Sequence, residues 1–220
     1  MSGMSVMVEV WGDYALFTRP EMKVERVSYD VMTPSAARGL LDAIYWHPGM
    51  KWVIDRIYVL NPIRFANIRR NEVSAILSAA KAKAAMSGSR EELYINTKDN
   101  IQQRAAMVLQ DVHYVIEAHF IMTAKAGPED NPGKYCDIMR RRLQKGQCYH
   151  QPCFGTREFP AHFGTWVGGV PVTAYPEEDR DLGFMLYDLD YSDIRNIRPQ
   201  FFRAVLKRGV LDVRECEVME

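Results

Sequence analysis

Apolar and polar positions alternate with two different periods along this chain, and the switches between them mark its elements. From Met4 to Gly12 the alternation is that of a strand, with Val6, Val8 and Val10 on one face. A long mixed connection then runs to Met32. Thr33-Pro34 predicts a helix start, Thr33 as N-cap and Pro34 in the first turn. Ala37, Leu40, Leu41 and Ile44 recur on one helical face, while Arg38 and Asp42 form an i,i+4 pair on the other. Pro48-Gly49 stops the helix, and Trp52, Ile54, Ile57, Val59 and Leu60 predict a long strand ended by Asn61-Pro62. Tyr45, Trp46 and His47 fall at the junction, where the plain expectation is that the aromatics close the core.

The segment Ile63–Gln103 has the weakest pattern. Inside it, Val73–Met86 is rich in helix formers but modest in apolar content, which predicts a peripheral helix or a mobile insertion followed by an exposed loop. Ala105–Ala124 predicts a second long strand. From Val112 on, its apolar face carries Tyr114, Ile116, Ala118 and Phe120, and the other face carries His113, Glu117 and His119. Two histidines and a carboxylate are unusual cargo for a core-facing side. Asn131-Pro132 starts another helix, with Tyr135, Ile138, Met139 and Leu143 as its stripe and Gly146 as its C-cap glycine. A short strand is expected at Thr156–Phe159, and two or three antiparallel strands within Asp181–Tyr191 and Phe201–Val213. Strand–helix–strand occurring twice predicts an α+β fold of the ferredoxin-like kind, an antiparallel sheet with both helices on one face. The expected division is residues 1–165, with a basic insertion near 63–104, followed by a small antiparallel β domain over 166–220.

Composition narrows the function classes. Lys plus Arg number 28 and Asp plus Glu 28, so no global charge argues for a nucleic-acid partner. The charge is nevertheless segregated. Between Asn61 and Arg104 eight basic residues face four acids, and Lys134–Lys145 adds five against Asp137 alone. This permits a basic groove, the alternative being a solvated surface. No apolar run approaches the ~18 residues of a membrane span, no leader is expected, and four cysteines suit a cytoplasmic chain with reduced thiols.

Cys148-x-His150-x-x-Cys153, with Cys136 upstream, has zinc donors without the usual spacing, and Pro152 stands between two of them. His113, Glu117 and His119 could also be drawn round a metal. Neither pattern is strong enough to call for a metal, and no cofactor is expected. Phosphate-binding glycine loops and the G-x-S-x-G elbow are absent. What remains suits RNA cleavage. RNA brings its own 2′-hydroxyl nucleophile, and a catalyst must move two protons and stabilise the phosphate. Tyr45, His47 and His119 are the candidate proton handlers.

The run from VEVWGDYALF through AIYWHP to VLNPI, the segment DVHYVIEAHF and the segment CYHQPCFGTREFPAHF resemble the subtype I-C (Dvulg) Cascade subunit of the RAMP superfamily, a CRISPR-associated protein. The resemblance covers nearly the whole chain except Ile63–Gln103. It implies a ferredoxin-like N-terminal part and a β-rich C-terminal part. The implied activity is metal-independent cleavage at the base of a repeat hairpin, leaving a 2′,3′-cyclic phosphate and retaining the 5′ handle. By resemblance the family's tyrosine falls on Tyr45 and its histidine on His119. Its lysine just before that histidine is missing, since Glu117 and Ala118 stand there; Lys125, Lys51 and His47 are the substitutes. The expected partners are CRISPR repeat RNA and the other complex subunits, with double-stranded DNA held open as a further one. Expected RNA contacts are Lys134, Arg140, Arg141, Lys145, Arg64, Arg69 and Arg70. The alternative function is a non-catalytic RNA-binding cap.

Overall fold

Two early strands flank a third that arrives much later in the chain. β1 (Val6–Ala15) and β3 (Met50–Val59) each pair antiparallel with β5 (Ile101–Met122), which lies between them. The computed structural model describes residues 5–22 and 24–219; Met4, the expected first residue of β1, lies outside them. Between β1 and β3 the chain forms β2 (Arg26–Val27), a short parallel partner of β5, and α1 (Pro34–Ile44). Thr33 Oγ1 caps α1 by accepting from the Ala36 N–H at 3.1 Å. Ala37, Leu40, Leu41 and Ile44 are fully buried or nearly so. Each of these larger aliphatics contributes roughly 1.5–3 kcal/mol by leaving water.

α3 (Pro132–Lys145) is capped by Asn131, which accepts from the Lys134 N–H at 2.9 Å, and closed by Gly146 at φ +61°. It lies on the same face of the sheet as α1. Phe120 of β5 packs edge-on against Trp52 and against Tyr135 of α3, and Tyr135 packs against Tyr45. Arg142 of α3 donates to the Ile44 carbonyl at the end of α1. β6 (His162–Thr165) then pairs with the free side of β1, giving the local strand order β3-β5-β1-β6. The expected closing strand at Thr156–Phe159 is instead a series of turns, and β6 follows it.

β5 begins at Ile101 rather than Ala105, and its first half pairs over nine residues with β4 (Phe65–Val73). The polar–apolar pattern did not predict β4, because it merely alternates exposed and half-buried positions. The following α2 (Ala79–Met86) buries none of its residues, as its weak apolar pattern suggested. Near the C-terminus β7 (Asp179–Asp190), β8 (Arg198–Lys207), β9 (Val210–Asp212) and β10 (Val218–Met219) form antiparallel pairs. β9 also pairs with β3, so these strands continue the main sheet, ten-stranded among the described residues. Arg38 binds Asp42 within α1, as its spacing predicts, and also clamps Asp188 of β7 at 3.0 and 2.7 Å. Among the described residues no helix is long and apolar enough to cross a membrane.

GDYALF and FGTREF pack directly against each other. Phe154 is fully buried and meets Phe17 edge-on, and its carbonyl accepts from the Leu16 N–H. Gly155 has φ +84°, and a Cβ there would lie 1.9 Å from the Leu16 carbonyl oxygen. Only glycine allows that approach.

Candidate active site and nucleic-acid interface

The alternation of β5 separates the candidates. Phe120 faces the helices, so His119 faces the opposite side, together with His113 and Glu117. There, His119 Nδ1 lies 2.9 and 3.0 Å from the two carboxylate oxygens of Asp55. Asp55 stands two residues after Val53, the cross-strand neighbour of His119, and so shares its side. Between Ile54 and Arg56 the register of β3 slips against β5, so that Asp55 is the extra residue. The slip brings the next side chain, Arg56, to the same side, where it binds Glu117 at 3.0 Å and Asp212 of β9 at 3.1 Å. Tyr58 donates to the same Glu117 at 2.8 Å, and burial together with Glu117 pushes its phenol up. The side chain of His119 is 30% exposed and that of Asp55 only 13%. The imidazole can therefore meet a substrate while the carboxylate fixes it from behind. With Asp55 accepting, the proton sits on Nδ1 and Nε2 is left as the acceptor.

Along the same side, His113 bonds Glu9 at 2.8 Å and meets Trp11 edge-on, while Trp11 stacks on His162. His113, Glu117 and His119 thus each hold a different partner. Among the described residues no three metal-donor side chains form a group, and this includes Cys136, Cys148, His150 and Cys153.

Tyr45 and His47 lie on the helix side. Tyr45 is 5% exposed, with Tyr135 against its ring and the Arg142 guanidinium 5.0 Å from its centre. Burial pushes its phenol up, with Arg142 pulling the other way, which leaves a donor rather than a base at neutral pH. His47 Nδ1 accepts from the Gly49 N–H at 3.1 Å and lies 2.8 Å from the Tyr135 hydroxyl, so its ring proton is on Nε2. A Cβ on Gly49 would stand 2.5 Å from that hydroxyl, which explains the glycine. Backbone Gly127 and then Tyr135 and Lys134 hold Asp130 down at about 2, while burial and Asp130 push Tyr135 up to about 12. The structure therefore brings Tyr45 and His47 into one aromatic cluster and does not bring either to His119. The sheet stands between them.

The basic candidates divide as well. Lys134 pairs with Asp130, Arg140 with Asp137, and Arg70 with Glu158 while lying over Phe159. Arg64, Arg69, Arg141 and Lys145 are exposed and make no ion pair among the described residues. Sequence reasoning missed Asp55, Arg56 and Tyr58, whose contacts come from the long-range pairing of β3 with β5, and Arg142, which turns inward from an otherwise exposed basic run.

Comparison with known proteins follows the same lines. A family model described as CRISPR-associated protein (Cas_Cas5) matches residues 5–214. The chain is 55% identical over 213 residues to the CRISPR pre-crRNA endoribonuclease Cas5d of Mannheimia succiniciproducens, covering 94% of each. It is 44% identical over 223 residues to the protein of the same description from Thermus thermophilus, covering 94% of this chain and 90% of that one. A crystal structure described as a CRISPR-associated protein matches at TM-score 0.71 and 25% identity, covering 99% of this chain and 97% of the other.

Proposed function

Because this chain belongs to the CRISPR-associated Cas5 family, we propose that it is an endoribonuclease that cuts precursor CRISPR repeat RNA and stays with the guide RNA in the type I-C surveillance complex. The observation that carries the activity is 55% identity, over 94% of both chains, to a protein named for that reaction. The strand order β3-β5-β1-β6 with α1 and α3 on one face supports a ferredoxin-like reading of residues 1–165. Residues 166–220 are then a β-rich part joined through β9.

In the proposed reaction the 2′-oxygen bonds to phosphorus, the P–O5′ bond breaks, and a 2′,3′-cyclic phosphate and a 5′-hydroxyl result. The nucleophile comes with the substrate, so no bound metal is needed to generate it. His119 is the main proton-transfer group, acting through Nε2 with Asp55 behind Nδ1. A single phosphate cannot touch both faces of a sheet. Tyr45 and His47 are therefore an alternative to His119 rather than its partners, favoured by the Nε2–H that His47 presents at a 37% exposed side chain. Arg64, Arg69, Arg141 and Lys145, with Lys134, Arg140 and Arg70 behind their ion pairs, would steer the RNA backbone.

The test is cleavage of cognate repeat RNA in EDTA. Wild type is expected to cut, and a 2′-deoxy substitution at the cut site to abolish product. His119→Ala should slow cleavage at least about 100-fold with binding nearly intact. Loss of cleavage in Tyr45→Phe and His47→Ala with His119→Ala unaffected would move the active site to the helix side. A wild-type protein that binds repeat RNA and never cuts it would be the non-catalytic cap.

A further inference from the structure

β9 covers β3 only at Arg56, Ile57 and Tyr58, with the Val213 N–H bonding the Asp55 carbonyl just before them. Ahead of that point, Lys51–Ile54 have no strand on their outer edge among the described residues. The end of β7 and Ser192 stand across from this edge, and the space between is a cleft of about 790 Å³. Trp46, Lys51, Val53, Lys125, Tyr191 and Gln200 line it. Its volume lies within the roughly 300–1,000 Å³ of small-ligand sites.

Three features of the lining converge. Trp46 and Tyr191 are 56% and 54% exposed and make no ring contact among the described residues, so two aromatic faces are left to water. Lys51 and Lys125 have no ion pair among the described residues. The two carboxylates present are already engaged. Arg38 clamps Asp188 at 2.7 Å, and Asp190 accepts from the Ser192 backbone N–H and hydroxyl. Asp190 keeps its charge, held low by Ser192 first and then by the fields of Arg198 and Lys51, so of the two acids only Asp188 is ion-paired, and Lys51 and Lys125 with Arg38 leave the lining net positive. A cleft with bare aromatics and an excess of cations has the chemistry of single-stranded nucleic acid, in which bases stack and phosphates need cations. The unpaired backbone groups of the β3 edge add donors and acceptors for the edge of a base.

We propose that this cleft holds one unpaired nucleotide of the RNA, its base on Trp46 and its phosphate on Lys51 and Lys125. The register adds a position. Val53, a wall residue, is the cross-strand neighbour of His119. The nucleotide held here is therefore one that flanks the scissile phosphate, and the cleft sets the register of cutting. This inference rests on the RNA-processing reading above.

An abasic scan tests it. Repeat RNAs carrying one abasic site at each unpaired position, made non-cleavable by a 2′-deoxy cut site, are titrated against wild type, Trp46→Ala, Trp46→Phe and Tyr191→Ala. Trp46→Ala should weaken the intact RNA about 5- to 150-fold, with Trp46→Phe retaining most of the affinity. At one abasic position wild type should lose a similar factor, and Trp46→Ala should lose nothing further. Lys51→Ala with Lys125→Ala should flatten the salt slope by about 0.7, the value for the one phosphate they share. Trp46 is exposed, so the variants should keep the wild-type melting temperature, and that is measured alongside. Equal affinity of wild type and Trp46→Ala for every RNA would overturn the proposal. So would a Trp46→Ala protein that binds RNA normally but fails to join its neighbouring subunits, since the edge would then be a protein-docking strand. Wild type without affinity for repeat RNA would overturn the parent reading as well; wild type that cuts normally beside an unimpaired Trp46→Ala would overturn this inference alone.

Discussion

Asp55→Asn removes one charge while keeping the side chain's shape, and it probes the pair on which the proposed chemistry turns. Both carboxylate oxygens sit 2.9–3.0 Å from His119 Nδ1. A hydrogen bond to a charged group contributes about 1.5–3 kcal/mol, which at about 1.4 kcal/mol per factor of ten corresponds to roughly 10- to 150-fold in rate. The His119 side chain is 30% exposed, so water takes over part of the task, and the expected loss is about 10- to 30-fold. Asparagine can also turn its amide N–H toward Nδ1, which would leave the wrong nitrogen to accept the proton. The assay is single-turnover cleavage at saturating protein, with affinity measured in parallel on RNA carrying a 2′-deoxy cut site. The rate should fall and the affinity stay within about twofold, with Asp55→Glu restoring part of the rate. If Asp55→Asn cuts at the wild-type rate while His119→Ala does not cut, Asp55 takes no part in handling the proton. An equal loss of rate and affinity would make the pair structural.

Gly155→Ala combines backbone strain of about 1–2 kcal/mol with a clash costing about 1–3 more, so the melting temperature should drop by roughly 5–20 °C; an unchanged value would mean that the Leu16 contact relaxes freely. Removing Arg69, Arg141 and Lys145 together should make the salt dependence of RNA binding shallower by about 2, about 0.7 for each phosphate released, and an unchanged slope would assign these charges to a solvated surface. Arg214 foremost, then Arg56, holds Asp212 down at about 2, against about 3.9 in an unfolded chain. Its contribution to stability is therefore complete above pH ~4 and lost as the pH falls toward 2, and Asp212→Asn should flatten that stretch of a stability–pH curve.

Local signals were the legible ones. Thr33-Pro34 and Asn131-Pro132 announce their helices because a cap needs only residues three apart. The two faces of β5 were readable by period, and so, in principle, was the separation of Tyr45 from His119. If the apolar face lies under the helices, a tyrosine ending α1 belongs to that face and His119 to the other. Long-range pairing was not legible. β4 pairs with the overhang of β5, and its period of two is hidden in FANIRRNEV because Arg70 and Glu72 share the half-buried positions with Ala66 and Ile68. Asp55 meets His119 through the pairing of β3 with β5, which joins residues 64 apart, and Arg56 comes to the same side only because the register slips by one residue; no local pattern marks either. The segments most recognisable as a family signature, GDYALF and FGTREF, hold each other in place. Their restraint is steric, so they point to the family before they point to its chemistry.

The late arrival of β5 matters during synthesis. β1 and β3 do not pair with each other, and the strand that joins them ends about 60 residues after β3 is complete. At about 5–20 residues per second the ribosome leaves Val8, Val10, Trp52 and Ile57 without their native cover for roughly 3–12 s. During that interval α1 has half a floor to rest on, and the nascent chain carries two apolar strands with open edges. A pause in translation before Ile101 would lengthen this exposure, whereas one after Met122 would fall when the central sheet can already close.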